Sequence, residues 1–318
     1  MTSTLHDLDF RRFLVMASMA ITFSSFADST DPAATPGGVP VPDSEITARV
    51  ADDYRQRMRE RDVDGMAPIL AEDAFFIDPT VEALGMPLAS GIRGRGAILA
   101  EIRSWDLSEI SWTSELRFTS AGHDVLFATV ETPQMAPFPF LNILQVDEGR
   151  VVERIDYGDY IGATARTERG EADDETRLLV SIADRYLEAY CRDVDAMAAL
   201  LAEDAEFHDP TAAILGPGMG GEPIYGRQAI ADWFRAATTG VESVTVERIG
   251  SLVSKHRVVW VVRSRVELDP ARAPQGFPQV FEAPLVIVLE IRDGKVVRHH
   301  DYWDAESFRR AWTRPPGL

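Results

Sequence analysis

The chain carries one cysteine, Cys191, in 318 residues. A lone thiol closes no intrachain disulfide and builds no thiolate metal cluster. Positive charge is scarce as well: 32 Lys and Arg against 51 Asp and Glu leave a net charge of −19. That argues against nucleic acid, whose phosphates require a basic face, and against anionic membrane surfaces. The N-terminal apolar run "FLVMASMAITF" (13–23) is too short to span a bilayer, so no stable membrane insertion is expected. The glycine-rich stretches "GIRGRG" (91–96) and "GPGMGG" (216–221) lack both the spacing and the lysine of a phosphate loop, and read as loops at a pocket mouth. No Ser-His-Asp or Cys-His constellation supports nucleophilic catalysis.

What is present is a globular composition, 45% apolar and 26% charged, long enough for two domains. Arg11 and Arg12 precede the apolar run, and "SSFA" follows it, with Ser25 and Ala27 at the positions a signal peptidase reads. Residues 1–27 therefore read as a cleaved signal peptide of a periplasmic or secreted protein, with the cytoplasm as the alternative. "RRFLV" also loosely resembles a twin-arginine signal. Residues 28–44 are rich in Pro, Gly and Ser and read as a linker.

The rest of the chain is a repeat. "LAEDAFFIDPT" (70–80) returns as "LAEDAEFHDPT" (201–211), identical at nine of eleven positions. "RDVDGM" (61–66) matches "RDVDAM" (192–197), "GRGAI" (94–98) matches "GRQAI" (226–230), and "RIDYGD" (154–159) matches "HHDYWD" (299–304), all in the same order. This is a duplicated domain, over residues 45–163 and 176–312, with the charged linker 164–175 between the copies. Apolar spacing puts a helix first, with Ile46, Val50, Tyr54 and Met58 on one face in copy one and Leu179, Ile182, Tyr186 and Tyr190 in copy two. A short helix through "DGMAPILA" or "DAMAALLA" follows, then a strand ended by proline, a third helix after the "GR" pair, and three strands. "DEG" and "RDG" make good hairpin turns between the last two. Helices first and antiparallel strands after predict an α+β domain, a bent sheet around a helix that leaves a pocket.

The densest chemistry lies in "VVRHHDYWD" (296–304). Strand alternation places Val297, His299, Asp301 and Trp303 on one face, and Val296, Arg298, His300, Tyr302 and Asp304 on the other. Phe207 shares a face with Asp209, while His208 points away. Adjacent histidines on opposite faces argue against a metal site, and none is expected.

"RYLEAY…LLAEDAEFHDP…YGRQAIADWF" resembles the first half of ketosteroid isomerase, and residues 45–312 look like a tandem of SnoaL-like, nuclear transport factor 2-like domains. The resemblance implies two tandem cone-shaped α+β barrels. It implies Tyr186 and Tyr54 as oxyanion donors, Asp209 and Asp78 as proton-moving bases, and Asn142 as a second donor in copy one where copy two has Ile287. "RVEL…VVRHHDYWDAESF" is similar to limonene epoxide hydrolase, which implies an acid–base pair of Asp301 and Glu267 bridged by Arg265, with Asp156 the counterpart in copy one. His299 is a candidate proton shuttle, and Trp303 and Phe207 are candidate substrate contacts. The expected protein is a cofactor-independent acid–base enzyme of hydrolase, dehydratase, cyclase or isomerase type acting on a small apolar molecule. Its two copies form an internal pseudo-dimer, or the chain a homo-oligomer. The alternative is a non-catalytic protein that binds a hydrophobic ligand in the same pocket. Each site residue also has a plainer explanation: an Asp-Pro-Thr turn for Asp78 and Asp209, core packing for the tyrosines, and a structural ion pair for Arg265–Glu267–Asp301.

Overall fold

The computed structural model describes residues 43–84, 86–105, 110–132, 135–159, 174–215, 221–271 and 279–313. The signal segment, almost all of the first linker and most of the second lie outside them. Among the described residues no helix is long and apolar enough to cross a membrane.

Helix α1 (Ser44–Glu60) starts on Asp43, whose side chain accepts from the backbone N–H of Glu45 (2.7 Å) and Ile46 (3.3 Å). It stops at Arg61, which turns left-handed (φ 58). Its buried stripe is Thr47, Ala51, Tyr54, Arg55 and Met58. Ile46, expected on that stripe, is 39% exposed, because Thr47 and Ala51 are the residues turned to the sheet. Strand β1 (Leu70–Ile77) follows, then β2 (Ile92–Arg93), α2 (Arg95–Ser104) and the strands β3 (Ser111–Ser120), β4 (His123–Thr132), β5 (Met135–Asp147) and β6 (Arg150–Gly158). Domain 2 repeats this with α3 (Asp174–Ala189), α4 (Val194–Leu200), β7 (Leu201–His208), β8 (Ile224–Tyr225), α5 (Arg227–Ala237), β9 (Val241–Ser254), β10 (Arg257–Leu268), β11 (Val280–Arg292), β12 (Lys295–Trp303) and α6 (Ala305–Thr313). The expected short helix forms only in domain 2. In domain 1 the same stretch is a series of turns, and Pro68 within it has no N–H to give a helix.

Each domain has one six-stranded sheet, in the orders β2-β1-β6-β5-β4-β3 and β8-β7-β12-β11-β10-β9. Neither sheet closes into a barrel, and both are mixed rather than antiparallel. The strand that ends in Asp-Pro runs parallel to the last strand, pairing Phe76 with Arg154 and Phe207 with His299. The hairpin turns take the left-handed pair that such turns require, at Glu148 and Gly149 (φ 45 and 74) and at Asp293 and Gly294 (φ 49 and 76). A bulge beside the second turn corrects the simple alternation. Ile291 pairs with Val296 but Glu290 pairs with Arg298, so Val297 is the extra residue and Val296 joins the inner face with His299 and Asp301.

The helices cover the inner face of each sheet and bury one core per domain. The outer faces meet each other. Phe118, Val125, Phe127, Leu141, Ile143 and Tyr157 of domain 1 share an apolar cluster with Leu252, Val259, Val261, Val286, Val288 and Tyr302 of domain 2. At its rim the contacts are reciprocal: Ser120 Oγ donates to Thr211 O (3.4 Å) and Ser254 Oγ to Thr80 O (3.1 Å). Each Asp-Pro-Thr turn is thus touched by a hairpin of the other domain.

Gly250 sits where this packing is tightest, since a Cβ there would lie 2.3 Å from the Phe127 ring. Overpacking of this kind costs about 1–3 kcal/mol. Gly250→Val is therefore expected to lower the melting temperature by several degrees, read by calorimetry, while Gly149→Ala, with open space around it, bears only its local strain.

Candidate functional site

Helix α3 and the turn that ends it lay Tyr186 and Tyr190 across the inner face of β12, and the inward residues of β12 meet them. Tyr190 donates its hydroxyl to Asp301 Oδ2 (2.7 Å). His299 Nε2 bonds Asp301 Oδ1 (2.7 Å), and His299 Nδ1 bonds the Tyr186 hydroxyl (2.9 Å). The four side chains form one buried chain, Tyr186–His299–Asp301–Tyr190. Around it stand apolar rings: Phe207 lies 4.9 Å from the His299 ring and Phe234 stacks on it at 6.0 Å. Burial first, and the Asp301 charge second, push the hydroxyl pKa values of Tyr186 and Tyr190 well above the ordinary range. Both phenols therefore act as neutral donors.

Asp209 stands beside this chain at the Asp-Pro-Thr turn. Its Oδ1 accepts from Thr211 Oγ1 (2.8 Å) and Ala212 N (3.0 Å), and the same threonine hydroxyl accepts from Trp303 N (2.9 Å). The motif residue Thr211 thereby ties the aspartate to the end of β12. Burial first, then the charge of Asp301, push the Asp209 carboxyl up to about 8, against those hydrogen bonds. At neutral pH it keeps its proton. Oδ2 has no hydrogen-bond partner among the described residues, which leaves a carboxylic acid with an uncommitted oxygen. Trp303, half-buried, packs on Phe308 (5.5 Å) and Phe281 (6.4 Å) beside the turn.

Domain 1 fills the equivalent space differently. Arg154 takes the position of His299 and donates to Asp156 from Nε (2.9 Å) and from Nη2, and to the Tyr54 hydroxyl from Nη1 (2.9 Å). Asn142 Nδ2 donates to the other Asp156 oxygen (2.7 Å), and Arg55 Nε donates to Asn142 Oδ1 (2.9 Å). Arg55 Nη1 then pairs with Asp124, which Arg117 also holds. Burial opposes the Arg154 charge, but Asp156 and the Tyr54 hydroxyl together outweigh it and hold the guanidinium protonated. In domain 2 the positions of Arg55, Asn142 and Asp124 are Leu187, Ile287 and Val258. Asp78 is held like Asp209, by the N–H of Thr80 (3.0 Å) and its hydroxyl.

Arg265 and Glu267 are not part of either constellation. Ile287 pairs with Asp301 on one side and Trp260 on the other. Arg265 is thus five residues further along β10, roughly 17 Å at strand rise. Its partners are Glu267 (2.7 Å) and Glu282 (3.3 Å), and the Arg265 and Glu267 side chains are 46% and 37% exposed. The bridged carboxylate pair expected from the sequence is therefore an exposed strand pair at the far end of the sheet. Tyr190, which sequence reading placed only on an apolar helix face, takes the second oxygen of Asp301 instead. His300 and His208 sit on the outer side, ring centroids 5.6 Å apart, away from Asp301.

Two outcomes follow. Asp209 keeps its proton in the fold while the unfolded chain loses it, so stability falls as pH rises from about 4 through about 8. Asp209→Asn removes that slope, and thermal melts against pH are expected to show the variant gaining on the parent most at pH 8 and above. Arg154→Met leaves Asp156 buried and uncompensated, at a cost of about 3–5 kcal/mol. Adding Asp156→Asn is expected to recover part of it in denaturant melts.

The profile of the SnoaL-like domain matches twice, at residues 51–154 and 183–299. No curated protein matches the chain. Among solved structures, a protein described as a SnoaL-like polyketide cyclase from Jannaschia sp. CCS1 is 16% identical, covering 46% of this chain and 99% of its own, with a TM-score of 0.38. An NTF2-like protein of unknown function from Burkholderia pseudomallei is 20% identical over 43% of this chain and 98% of its own, with a TM-score of 0.37. An LEH-like epoxide hydrolase of M. tuberculosis is 17% identical over 41% and 94%, with a TM-score of 0.33. With its profile matched once in each half, the chain belongs to the SnoaL-like domain family, as a tandem of two such domains.

Proposed function

We propose that domain 2 is the catalytic unit of a cofactor-independent enzyme that moves a proton on a small apolar substrate, in the manner of an isomerase, cyclase or dehydratase. The observation that carries this is the pairing of a buried hydrogen-bonded chain, Tyr186–His299–Asp301–Tyr190, with an acid raised to about 8, Asp209. An acid that keeps its proton at neutral pH, beside an imidazole and a second carboxylate, puts a proton donor and candidate acceptors in one site. Asp209 gives and retakes the proton at the substrate. His299 and Asp301 take up the charge change, and Tyr186 donates to His299 Nδ1 or, when the ring is protonated, accepts from it. Phe207 and Trp303 form the apolar wall. Domain 1 has no comparable chain, since an arginine in an ion pair does not release its proton.

Hydrolysis of an epoxide by a bridged carboxylate pair loses its support, because Arg265 and Glu267 stand apart from Asp301. The reading is tested by proton exchange, which needs no product identified beforehand. A panel of apolar ketones is incubated with the protein in heavy water, and deuterium uptake at acidic carbons is read by mass spectrometry. Asp209→Asn and His299→Gln are expected to slow uptake about 100-fold or more. Undiminished uptake in both variants overturns the assignment. Ketones that bind tightly but never exchange indicate a ligand-binding protein instead.

A further inference from the structure

The two reciprocal contacts between the domains are not alike. Each is made by a hairpin whose closing pair includes a serine: Ser120 pairs with His123, and Ser254 with Arg257. In domain 2 the residue opposite the serine is a permanent cation. Arg257 reaches the Pro79 carbonyl (3.3 Å) and pairs with Glu82 (3.5 Å) and Glu290 (3.1 Å), and Lys255 also pairs with Glu82 (3.6 Å). Burial opposes the Glu290 charge, but Arg257, Arg292 and Arg298 outweigh it and hold this carboxyl below its ordinary value. Ion pairs therefore fasten the hairpin of domain 2 to the turn that carries Asp78.

In domain 1 the same place holds a histidine. His123 is buried, its ring lies 6.0 Å from that of Tyr302, and its Nδ1 donates to the Ala121 carbonyl (3.0 Å). A carbonyl only accepts, so the neutral ring carries its one proton on Nδ1 and a second must go to Nε2. Tyr302 shares the outer face of β12 with His300, which pairs with His208 on β7, the two rings 5.6 Å apart. His208 Nε2 bonds the Gly221 carbonyl (3.1 Å). His300 Nε2 faces one oxygen of Glu206 (3.4 Å), and Arg298 holds the other (3.4 Å). Of the acids whose charge reaches Tyr302, Asp209 keeps its proton, and burial pushes Glu153 of domain 1 above its ordinary value against the pull of Arg93. Burial pushes His123 down to about 4, a shift that its bond to Ala121 resists and the charge of His208 strengthens. Burial first and His208 second push His300 down to about 4, against Glu206. The duplication shows that these imidazoles are particular to domain 2. Domain 1 has Ile77 and Ile155, paired in the same register, where domain 2 has His208 and His300.

We propose that the β3–β4 hairpin of domain 1 is an acid-released latch on the turn that carries Asp209. On acidification protons enter the histidines around Tyr302, and their hydration and mutual repulsion open the contact of Ser120 with Thr211. The ion-paired contact of the other hairpin with the Asp78 turn stays closed. The unlatched interface binds more protons than the latched one between the ordinary imidazole value of about 6.5 and about 4, so acid favours release. The latch is independent of the chemistry proposed for domain 2.

The test is amide hydrogen exchange of the full chain at pH 7 and pH 5, read by NMR and divided by the intrinsic rate at each pH. Two amides are equivalent probes: Trp303 N, bonded to Thr211 Oγ1 (2.9 Å), and Gly158 N, bonded to Thr80 Oγ1 (2.9 Å). Two histidines shifted this far are expected to cut the protection of Trp303 about 100-fold between the two pH values, and that of Gly158 about 3-fold at most. Two variants check the cause. His123→Gln keeps a donor for Ala121, and the double variant His208→Ile with His300→Ile copies domain 1. Each is expected to restore about 10-fold of the Trp303 loss. Should the double variant not fold, His123→Gln decides. Equal loss at both amides, no loss at Trp303, or the same loss in the variants as in the parent overturns the proposal.

Discussion

A carboxylate at the centre of an apolar cone has to be satisfied by its neighbours, and the duplicated aspartate of the last strand is satisfied in two different ways. Asp156 and Asp301 are each about 2% exposed, so neither has water to solvate it and each needs charge or donors close by. Domain 1 answers with Arg154 and Asn142, backed by Arg55 and Asp124. Domain 2 answers with His299 and Tyr190. The first solution is an ion pair whose cation never deprotonates near neutral pH. The second is built from an imidazole and a neutral phenol, with no fixed cation. From the same fold and the same aspartate, one copy becomes a fixed electrostatic core and the other a candidate for proton chemistry.

The remaining features follow from that choice. With no guanidinium beside it, Asp301 presents its charge to Asp209 and helps keep that carboxyl protonated. Leu187, Ile287 and Trp260 line the inner space that domain 1 gives to Arg55, Asn142 and Leu126. The domains also depend on each other mechanically. Ser120 of domain 1 reaches the turn that carries Asp209, and Ser254 of domain 2 reaches the turn that carries Asp78. The position of each aspartate is therefore supported across the shared apolar cluster as well as from within its own domain.

The duplication, the element order and the inward set of His299, Asp301, Asp209 and Tyr186 were legible because exact repeats and strand alternation are local signals. What was not legible depended on pairing. The bulge at Val297 exchanges the faces of Val296 and Val297, and no residue in "GKVV" marks it. The parallel pairing of β1 with β6 and of β7 with β12 joins segments far apart in the chain. Strands β3 and β9 and the short β2 and β8 were not anticipated, since their mixed polar and apolar residues carry weak alternation. Arg265 and Glu267 share a motif with Asp301 in order but not in level along the sheet, and only the register reveals the separation. Tyr190 was visible as an apolar position. Its bond to Asp301 was not, although its place four residues after Tyr186, just past the end of the same helix, was the available signal.

The most direct measurement is the titration of the Asp209 carboxyl itself, by carbon-13 NMR of protein labelled at aspartate carboxyl carbons and assigned with the Asp209→Asn variant. The account predicts a midpoint near 8, moving down when Asp301 is replaced by Asn, since burial and the Asp301 charge are its stated causes. A midpoint near the ordinary carboxylate value of about 4, unmoved by that replacement, would contradict it. Asp209 would then be an ionised turn residue, and domain 2 would lack the acid on which its proposed chemistry rests.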